Sequence, residues 1–365
     1  MVTTQPYYQI QNVTTVVYSL ADYYMFWAFI DGLLFAIIIC GNILTILAVR
    51  LSRRLRNVTS NYFVLSLAIS DFLVGLTLPY HLAFYVTELL GTIPATCIMR
   101  FVLISLACCA SIYNLIAIAV DRYIAIVHPL KYSTYMTRRA ALVLIFLGWI
   151  NAIAIATVPI YWNCFDAATE CEMDTVLPRY YTVAILTPML CFIWLSMFIL
   201  YWQIWKEAST HARRLRHNGM YNNGTSDWKS VQVVLLVLGC FSICWLPYLI
   251  VACSRAFDWH KKASPVVYKS MFSLAMANSG MNPMIYAWKN KNFRKAFQKL
   301  LHFQSPNRSN FNSSLKNYLQ KQKELNSLEN NKMEGDIRPN QNGGLSTICN
   351  NYMFESEEAL EVTPM

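Results

Sequence analysis

Residues 94–126, PATCIMRFVLISLACCASIYNLIAIAVDRYIAI, form an apolar run longer than a helix needs to cross a lipid bilayer. About 20 helical residues are enough to span the ~30 Å of hydrocarbon in a bilayer. Six further runs of this kind lie along the 365 residues. Together the seven runs predict spans at residues 26–50, 59–87, 94–126, 138–159, 178–207, 229–255 and 265–288. The predicted fold class is therefore an all-α membrane protein, a bundle of seven transmembrane helices.

Composition and charge agree with this prediction and give the bundle an orientation. Hydrophobic residues make up 56% of the chain and charged residues 14%, with a mean hydropathy of +0.34, which is unusual for a soluble globular protein. Basic residues follow the first, third, fifth and seventh spans, and cytoplasmic loops hold the Lys and Arg excess. The amino terminus is thus predicted outside and the carboxyl terminus inside the plasma membrane. The net charge of +10 is explained by this inner rim, which suits contact with anionic lipid and gives nucleic-acid binding no support.

Three regions are predicted along the chain. Residues 1–25 form an extracellular N-terminus that lacks the pattern of a cleaved signal peptide, so the first span is expected to act as its own signal anchor. This segment contains a glycosylation acceptor at Asn12. Residues 26–303 form the seven-helix domain, which ends in a short amphipathic eighth helix at residues 292–302. Residues 304–365 are polar, rich in Asn and Ser, and predicted to be a disordered cytoplasmic tail.

Ionisable side chains are costly within a bilayer and therefore indicate function. Asp71 lies deep in the second predicted span, without a basic residue nearby in sequence. Polar side chains occur at matching depth in other spans, at Asn42, Ser111, Asn278, Ser279 and Asn282. Two interpretations are open: a hydrated pocket that holds a monovalent cation, or an interhelical hydrogen-bond network around a protonated or water-bridged Asp71.

The inner end of the third span contains the triplet Asp121-Arg122-Tyr123. An arginine at a membrane boundary often extends to the surface, which is the simplest interpretation. The neighbouring acid offers a second one, because a cationic group that carboxylates hold in one state and release in another is a bistable element. Asp227, at the start of the sixth span, offers a further carboxylate.

Each span carries a motif of one known family. The motifs are Gly41-Asn42, Leu67-Ala68-x-x-Asp71, Cys97, Asp121-Arg122-Tyr123, Trp149, Pro188, Phe241-x-x-Cys244-Trp245-x-Pro247 and Asn282-Pro283-x-x-Tyr286. In this order they resemble the rhodopsin-like family of G-protein-coupled receptors, over residues 26 to 303. Two segments, SNYFVLSLAISDFLVG and NSGMNPMIYAWKNKNFRKAF, are similar to the amine and adenosine branch. Within that branch they resemble the insect receptor for dopamine and ecdysteroid.

The resemblance implies roles for individual residues. Arg122 of the triplet Asp121-Arg122-Tyr123 would contact the G protein after release from Asp121 and Asp227, with Tyr286 as part of the switch. Phe241 and Trp245 would be the aromatic switch and Pro247 the hinge of the sixth helix. The family's sodium pocket would correspond to Asp71, Ser111, Trp245, Asn278 and Asn282. Cys97 would form a disulfide with the second outer loop, where Cys164 and Cys171 are available and Cys171 has the better spacing to Trp149 and Pro188.

The resemblance fails at several positions that bear on activation and on the ligand. Ser196 replaces a tyrosine that meets Tyr286 in active members of the family. Ile104 replaces the aspartate that amine receptors use, Met276 replaces the lysine of opsins, and Ala252 replaces the amide of adenosine receptors. These replacements exclude a retinal Schiff base and remove the usual ammonium partner.

The predicted ligand site is apolar with a few hydroxyl groups, and His81 lies near its outer edge. Its residues are Ile104, Ser105, Cys108, Tyr180, Tyr181, Tyr248, Leu249, Phe272 and Met276, above Trp245. Such a lining favours a largely uncharged steroid or lipid, whereas the branch resemblance implies dopamine, an ecdysteroid or a nucleoside. Aromatic side chains in a bundle also serve simply as packing.

These features predict a receptor that activates a heterotrimeric G protein, with cyclic AMP as the expected messenger. The expected partners are a small-molecule agonist, the G protein, a receptor kinase, arrestin and membrane lipid. No cofactor is expected apart from an allosteric sodium ion. A transporter or channel is less favoured because only Asp71 lies deep among the ionisable groups, whereas transport needs several along a path, and a constitutively active orphan receptor is a further alternative. No nucleophile–base pair or metal cluster indicates an enzyme.

Overall fold

The computed structural model describes residues 5–87, 89–167, 171, 173–181, 183–184, 187–217, 226–256, 265–307 and 317–327. Within these ranges seven long helices occur, and the predicted fold class is confirmed. They are α1 (Gln5–Leu51), α2 (Ser60–Val86), α3 (Pro94–Val127), α4 (Arg138–Ala156), α5 (Thr187–His217), α6 (Ser226–Ala256) and α7 (Pro265–Lys289). An eighth helix, α8 (Lys291–Leu301), follows α7 directly. No strand occurs in the described ranges.

Short helical segments connect the long helices. They are Arg53–Arg56, Leu89–Thr92, Pro129–Lys131, Tyr132–Tyr135, Val158–Tyr161, Phe165–Ala167, Met173–Val176 and Arg179–Tyr181. By length and composition, four described helical segments are apolar enough to cross a membrane: Met25–Leu51, Ser60–Phe84, Pro94–Val127 and Arg138–Tyr161. A shorter apolar segment, Gly239–Ser254, lies within α6.

Two helices extend beyond their predicted ends. α1 begins at Gln5 rather than at residue 26, and α5 continues to His217 rather than ending at 207. Neither residues 7–31 nor residues 189–217 contain a proline or glycine that would stop a helix. The apolar run marks the expected depth of the lipid, and a helix can continue beyond it where no residue interrupts the backbone hydrogen bonds. The predicted break Asn222-Asn223-Gly224 lies outside the described residues.

The predicted fifth span is helical at its described residues from 179 onward. Arg179–Tyr181 forms a short helix, residues 183 and 184 are also helical, and α5 follows from Thr187. Residues 182, 185 and 186 lie outside the described residues.

Helix α3 lies at the centre of the bundle and contacts α2, α4, α5 and α6. Its buried face is rich in small side chains, which allow helices to approach closely in a membrane. α1 approaches α7 closely as well, since a Cβ added at Gly41 would lie 3.0 Å from Pro283 Cγ. Trp149 Nε1 of α4 donates to Ser66 Oγ of α2 at 3.0 Å. These contacts fix the relative positions of the helices that carry the predicted site residues.

The amphipathic helix α8 is capped by Asn290, whose side chain accepts from the backbone N–H groups of Asn292 and Phe293. Its buried residues Phe293, Ala296 and Phe297 pack into a cluster with residues of α1 and α7. That the outer face of α8 lies at the membrane interface stays a prediction.

The chain divides into two units, Met1–Arg308 and Ser309–Met365. In the second unit, residues 317–327 form a helix whose side chains are all exposed. In this segment nine residues without proline or glycine follow Asn317 and Tyr318. The disorder and the cytoplasmic position of the tail stay predictions. No apolar core is buried by these eleven residues.

Candidate ligand site and activation switch

A disulfide holds the second outer loop to the outer end of α3. Cys97 and Cys171 are bonded, with their Cα atoms 5.9 Å apart. Cys97 is fully buried and packs with Phe101 and Val176. Cys164, the other predicted candidate, is free and exposed. The expected pairing of Cys97 with Cys171 is confirmed.

Most of the predicted ligand residues meet in one apolar group between α3, α6 and α7, which we call the outer cluster. It comprises Ile104, Cys108, Trp245, Tyr248, Phe272 and Met276, with Val74, Leu78 and Ala275 among their neighbours. The Tyr248 ring contacts Phe272 at 5.9 Å between centroids, and its hydroxyl lies 3.1 Å from that of Tyr268. Ser105 and Leu249 are half-buried. The cluster is apolar with few hydroxyl groups, as predicted.

Two of the three tyrosines of the predicted site, Tyr180 and Tyr181, do not pack in the outer cluster. Tyr180 is 78% exposed. Tyr181 is buried, its hydroxyl donates to Ile155 O at 3.2 Å and its ring meets Trp162. That either residue contacts a ligand stays a prediction.

Three buried ionisable residues at the outer end were overlooked in the sequence: Asp31, Arg100 and Lys269 are exposed by only 2%, 6% and 5%. Lys269 Nζ of α7 forms an ion pair with Asp31 Oδ2 of α1 at 2.8 Å. Arg100 Nε of α3 lies 2.9 Å from Nδ1 of His81 on α2. All three residues fall inside predicted spans, and that is the signal that would have identified them. The prediction that Asp71 is the one ionisable residue buried within the spans is therefore wrong.

Asp71 lies at the middle of the bundle and accepts hydrogen bonds from three neutral side chains. Ser111 Oγ donates to Oδ1 at 2.7 Å and Ser279 Oγ to the same oxygen at 2.8 Å. Asn282 Nδ2 donates to Oδ2 at 2.8 Å. Asn278 is buried but makes no hydrogen bond to Asp71 within the described part of the chain. Ser279, rather than Asn278, therefore completes the contacts to this carboxylate.

The chemistry of this site fits a monovalent cation. The two serine hydroxyls keep lone pairs available while they donate to Asp71. Asn42 Nδ2 donates to Ser279 O at 3.0 Å, and the buried Asn42 Oδ1 has no hydrogen-bond partner among the described residues. A carboxylate surrounded by hydroxyl and amide oxygens is a donor set for a hard cation.

The aromatic residues of α6 connect the outer cluster with the interior below it. Trp245 packs against the outer cluster and also against a second group, the core cluster, which includes Leu115, Met197, Phe241 and Ile285. The rings of Phe241 and Trp245 lie 6.1 Å apart. Pro247 interrupts α6 two residues above Trp245. A displacement of Trp245 from above would therefore disturb both clusters.

At the inner end, Arg122 is held by the acid that precedes it. Its guanidinium forms an ion pair with Asp121, with Nε donating to Oδ2 at 2.8 Å. The hydroxyl of Tyr132, from the second inner loop, donates to the other oxygen of Asp121 at 2.8 Å. Burial and the adjacent Asp121 raise the pKa of Tyr132 to about 12, so the phenol is protonated at neutral pH. The side chain of Asp227 lies outside the described residues.

Tyr286, Ser196 and Tyr123 also bear on the predicted switch. The buried Tyr286 ring packs on Phe293 of α8, with centroids 5.3 Å apart. Ser196 donates to the carbonyl oxygens of its own helix, Phe192 O at 2.7 Å and Ile193 O at 3.0 Å. The ring of Tyr123 meets His128 at the end of α3. Tyr286 thus lies against the α8 side of the bundle.

The chain is similar to known receptors. Residues 41–286 match the family model for the 7 transmembrane receptor (rhodopsin family). The histamine H2 receptor of Cavia porcellus is 33% identical over 279 residues, which cover 73% of this chain and 77% of that receptor. The histamine H2 receptor of Homo sapiens is 31% identical, with 78% and 82% covered. The adenosine receptor A2b of Bos taurus is 31% identical, with 73% and 86% covered.

Proposed function

Because this chain belongs to the rhodopsin family of seven-transmembrane receptors, we propose that an extracellular small molecule binds at its outer cluster and thereby activates a heterotrimeric G protein at its inner end. The chain is a receptor of the amine and adenosine type within this family and not an enzyme, and its relatives imply a multi-pass plasma-membrane protein. The observation that carries the proposal is Trp245, which packs against both the outer cluster and the core cluster. The amino terminus is proposed to face outward, with glycosylation at Asn12.

In the proposed mechanism, the pair of Asp121 and Arg122 is the resting state. Tyr132 supports it by donating to Asp121, which holds the carboxylate in place for Arg122. Ligand contact with Trp245 favours a rotation of α6 at Pro247, and the inner end of α6 moves away from α3. Arg122 is then released to contact the G protein. Two discrete packings of buried elements are the usual physical basis of such a switch.

The ligand candidates are dopamine and an ecdysteroid, with a lipid, another steroid or a nucleoside as alternatives. Similarity to histamine receptors supports an amine, but the outer cluster has Ile104 where an amine receptor has its aspartate. The apolar lining favours the steroid or lipid. Ser196, which is bonded within its own helix, keeps a constitutively active receptor as a second candidate.

Sodium is proposed as an allosteric ligand at Asp71. Ser111, Ser279 and Asn42 would supply further oxygens beside the Asp71 carboxylate. The ion would neutralise the buried charge and favour the resting packing of α2, α3 and α7. Receptor kinase, arrestin and membrane lipid are proposed as further partners, with phosphorylation of the tail serines as the signal for arrestin.

The proposal is tested by measuring cyclic AMP in cells that express the full chain. Dopamine, an ecdysteroid and adenosine are applied in parallel, with Arg122→Ala as the matched variant at equal surface expression. A ligand-dependent change in cyclic AMP that disappears with Arg122→Ala is expected. A raised, Arg122-dependent baseline without any ligand response would support the constitutive receptor. The same cyclic AMP level in both variants and in untransfected cells would contradict a role in this pathway.

A further inference from the structure

Among the described residues, the outer end of the bundle buries more positive than negative charge. Asp31, Arg100 and Lys269 lie on three different helices and are all nearly inaccessible to solvent. Asp31 and Lys269 neutralise each other through their ion pair. The charge of Arg100 remains, so the described residues of this region carry one net positive charge when His81 is neutral.

Arg100 is held entirely by uncharged groups. Its Nε and Nη2 lie 2.9 and 3.2 Å from the two ring nitrogens of His81, and its Nη1 donates to Cys171 O at 3.1 Å. The guanidinium also lies over the Phe84 ring, 4.7 Å from its centroid. No carboxylate of the described residues forms an ion pair with it. A buried cation without a counter-charge is strongly unfavourable, and in membrane proteins it typically marks a site for a charged ligand.

The guanidinium adjoins the outer cluster. His81, which contacts Arg100, stacks on Phe272 with ring centroids 5.1 Å apart, and Phe272 packs in the outer cluster. On α3, Arg100 precedes Ile104 by four residues, so both lie on the same face of the helix. On α7, Lys269 precedes Phe272 by three residues, again on one face. The positive region is therefore the outer continuation of the apolar ligand site.

We propose that the ligand combines an apolar body with one anionic group, a carboxylate, sulfate or phosphate, which pairs with Arg100. A guanidinium presents paired N–H donors that match these groups. The apolar body would contact Ile104, Phe272 and Met276. An ammonium ion at the level of Ile104 would lie about one helical turn from Arg100 and be repelled. This inference rests on the proposed ligand site. It selects an anionic form of the lipid and steroid alternatives and disfavours dopamine and an uncharged ecdysteroid.

The test uses the full chain in nanodiscs of zwitterionic lipid and pairs of probes that differ only in charge. One pair is oleate and oleyl alcohol, and the other is a steroid sulfate and its parent steroid. Binding is measured as stabilisation against thermal unfolding across a concentration series. The anionic member of at least one pair is expected to stabilise the wild-type chain, and its neutral partner is not. The responding pair distinguishes a fatty-acid source of the anion from a steroid source.

Arg100→Gln is expected to weaken anion binding by roughly tenfold or more, the effect of losing a charge-assisted hydrogen bond. Arg100→Lys keeps the charge and should retain part of the affinity. Arg138→Gln, at the exposed inner start of α4, is the matched control and should bind as the wild type does. If Arg100 only fixed the outer loop, the charge of the probe would not affect its affinity, and the anionic and neutral members of each pair would bind equally.

A second variant avoids any change to Arg100. Asp31→Asn removes the carboxylate that neutralises Lys269, so the region gains positive charge. Anion binding is expected to tighten several-fold, roughly the effect of one added charge in a partly screened site. The proposal is overturned if charged and neutral probes bind alike, if neither anion binds, or if anion affinity is the same in wild type, Arg100→Gln and Asp31→Asn.

This result can be separated from the receptor function. The binding assay contains no G protein, and nucleotide exchange on a purified heterotrimer is measured in a parallel reaction. Anion binding through Arg100 without stimulated exchange would refute the receptor function and support the ligand class. A neutral or cationic agonist that acts equally in the wild type and Arg100→Gln would support the receptor and overturn the ligand class.

Discussion

Asp71 and Asp31 are both buried acids of the helix bundle, but they are stabilised by different partners. Asp71 accepts hydrogen bonds from the neutral side chains of Ser111, Ser279 and Asn282. Asp31 pairs with the ammonium of Lys269 and lies 3.4 Å from the hydroxyl of Ser273. The charge of Asp31 is thus compensated within the protein, whereas that of Asp71 is only solvated by dipoles.

The difference predicts different roles for two residues of the same type. A mobile cation gains little at Asp31, because Lys269 already occupies the place of the counter-ion. At Asp71 a cation would supply the missing charge. We therefore expect Asp31 to act as a clamp between α1 and α7, and we propose that Asp71 responds to ions.

The largest expected effect comes from removing the internal counter-ion. Lys269→Met leaves Asp31 buried without its partner, which typically costs about 3–5 kcal/mol of unfolding free energy. Denaturant or thermal unfolding of the purified receptor measures this loss. The double variant Asp31→Asn/Lys269→Met should recover most of it, because no uncompensated charge then remains. Equal stability of the Lys269→Met variant and the wild type would show that this ion pair does not clamp α1 to α7.

A smaller effect is expected at the ion-responsive acid. Sodium should lower agonist affinity in the wild type by roughly fivefold or more, within the usual range of allosteric coupling, and Asp71→Asn should abolish this dependence. Radioligand or fluorescent-agonist binding with sodium exchanged for N-methylglucamine measures it. Asp31→Asn is the control and should keep the sodium response. If both variants lose the response, or neither does, the contrast between the two acids does not hold.

The smallest effect concerns a third acid, Asp121, which combines both kinds of partner. Tyr132→Phe removes the phenol that donates to Asp121 and should weaken the resting state by about 1 kcal/mol. Ligand-independent activity should then rise roughly fivefold by the corresponding population shift. The exposed Tyr135, changed to Phe, is the matched control. Unchanged basal activity in Tyr132→Phe would show that this hydroxyl does not hold the switch.

The pH dependence of this bond follows from the phenol. Because the pKa of Tyr132 is raised to about 12 from an unfolded value of about 10, its stabilising contribution is complete below pH ~10 and is lost as the pH rises through about 12. The difference in unfolding free energy between the wild type and Tyr132→Phe should therefore stay constant across the physiological range. A difference that titrates near neutral pH would mean that another group controls the resting pair.

The sequence was sufficient for the features that depend on local pattern. Apolar runs predicted the seven helices, and the family motifs predicted that Cys97 pairs with Cys171 and that Trp245 lies beneath the ligand residues. Helix ends were predicted less well, because the apolar run of α5 ends before its helix does. Hydropathy also does not show that the Tyr181 hydroxyl bonds to Ile155 O rather than facing the outer cluster.

The sequence also did not predict which residues far apart in the chain pair with each other. Asp31 and Lys269 are 238 residues apart, and no spacing rule relates the outer turn of α1 to that of α7. Ser279 and Asn278 are adjacent in sequence, so the choice of which one faces Asp71 depended on the rotation of α7. Which side chains of two helices face each other can be determined only from the packed structure.

We propose that Arg122 transmits activation to a G protein, and this role of Arg122 can be tested without knowing the ligand. Purified receptors in nanodiscs are mixed with a heterotrimeric G protein, and nucleotide exchange is followed for Tyr132→Phe and for the double variant Arg122→Ala/Tyr132→Phe. The account predicts that Tyr132→Phe accelerates exchange above the receptor-free rate and that the double variant returns to that rate while its thermal stability shows that it is folded. Equal acceleration of nucleotide exchange by both variants would show that Arg122 does not transmit activation.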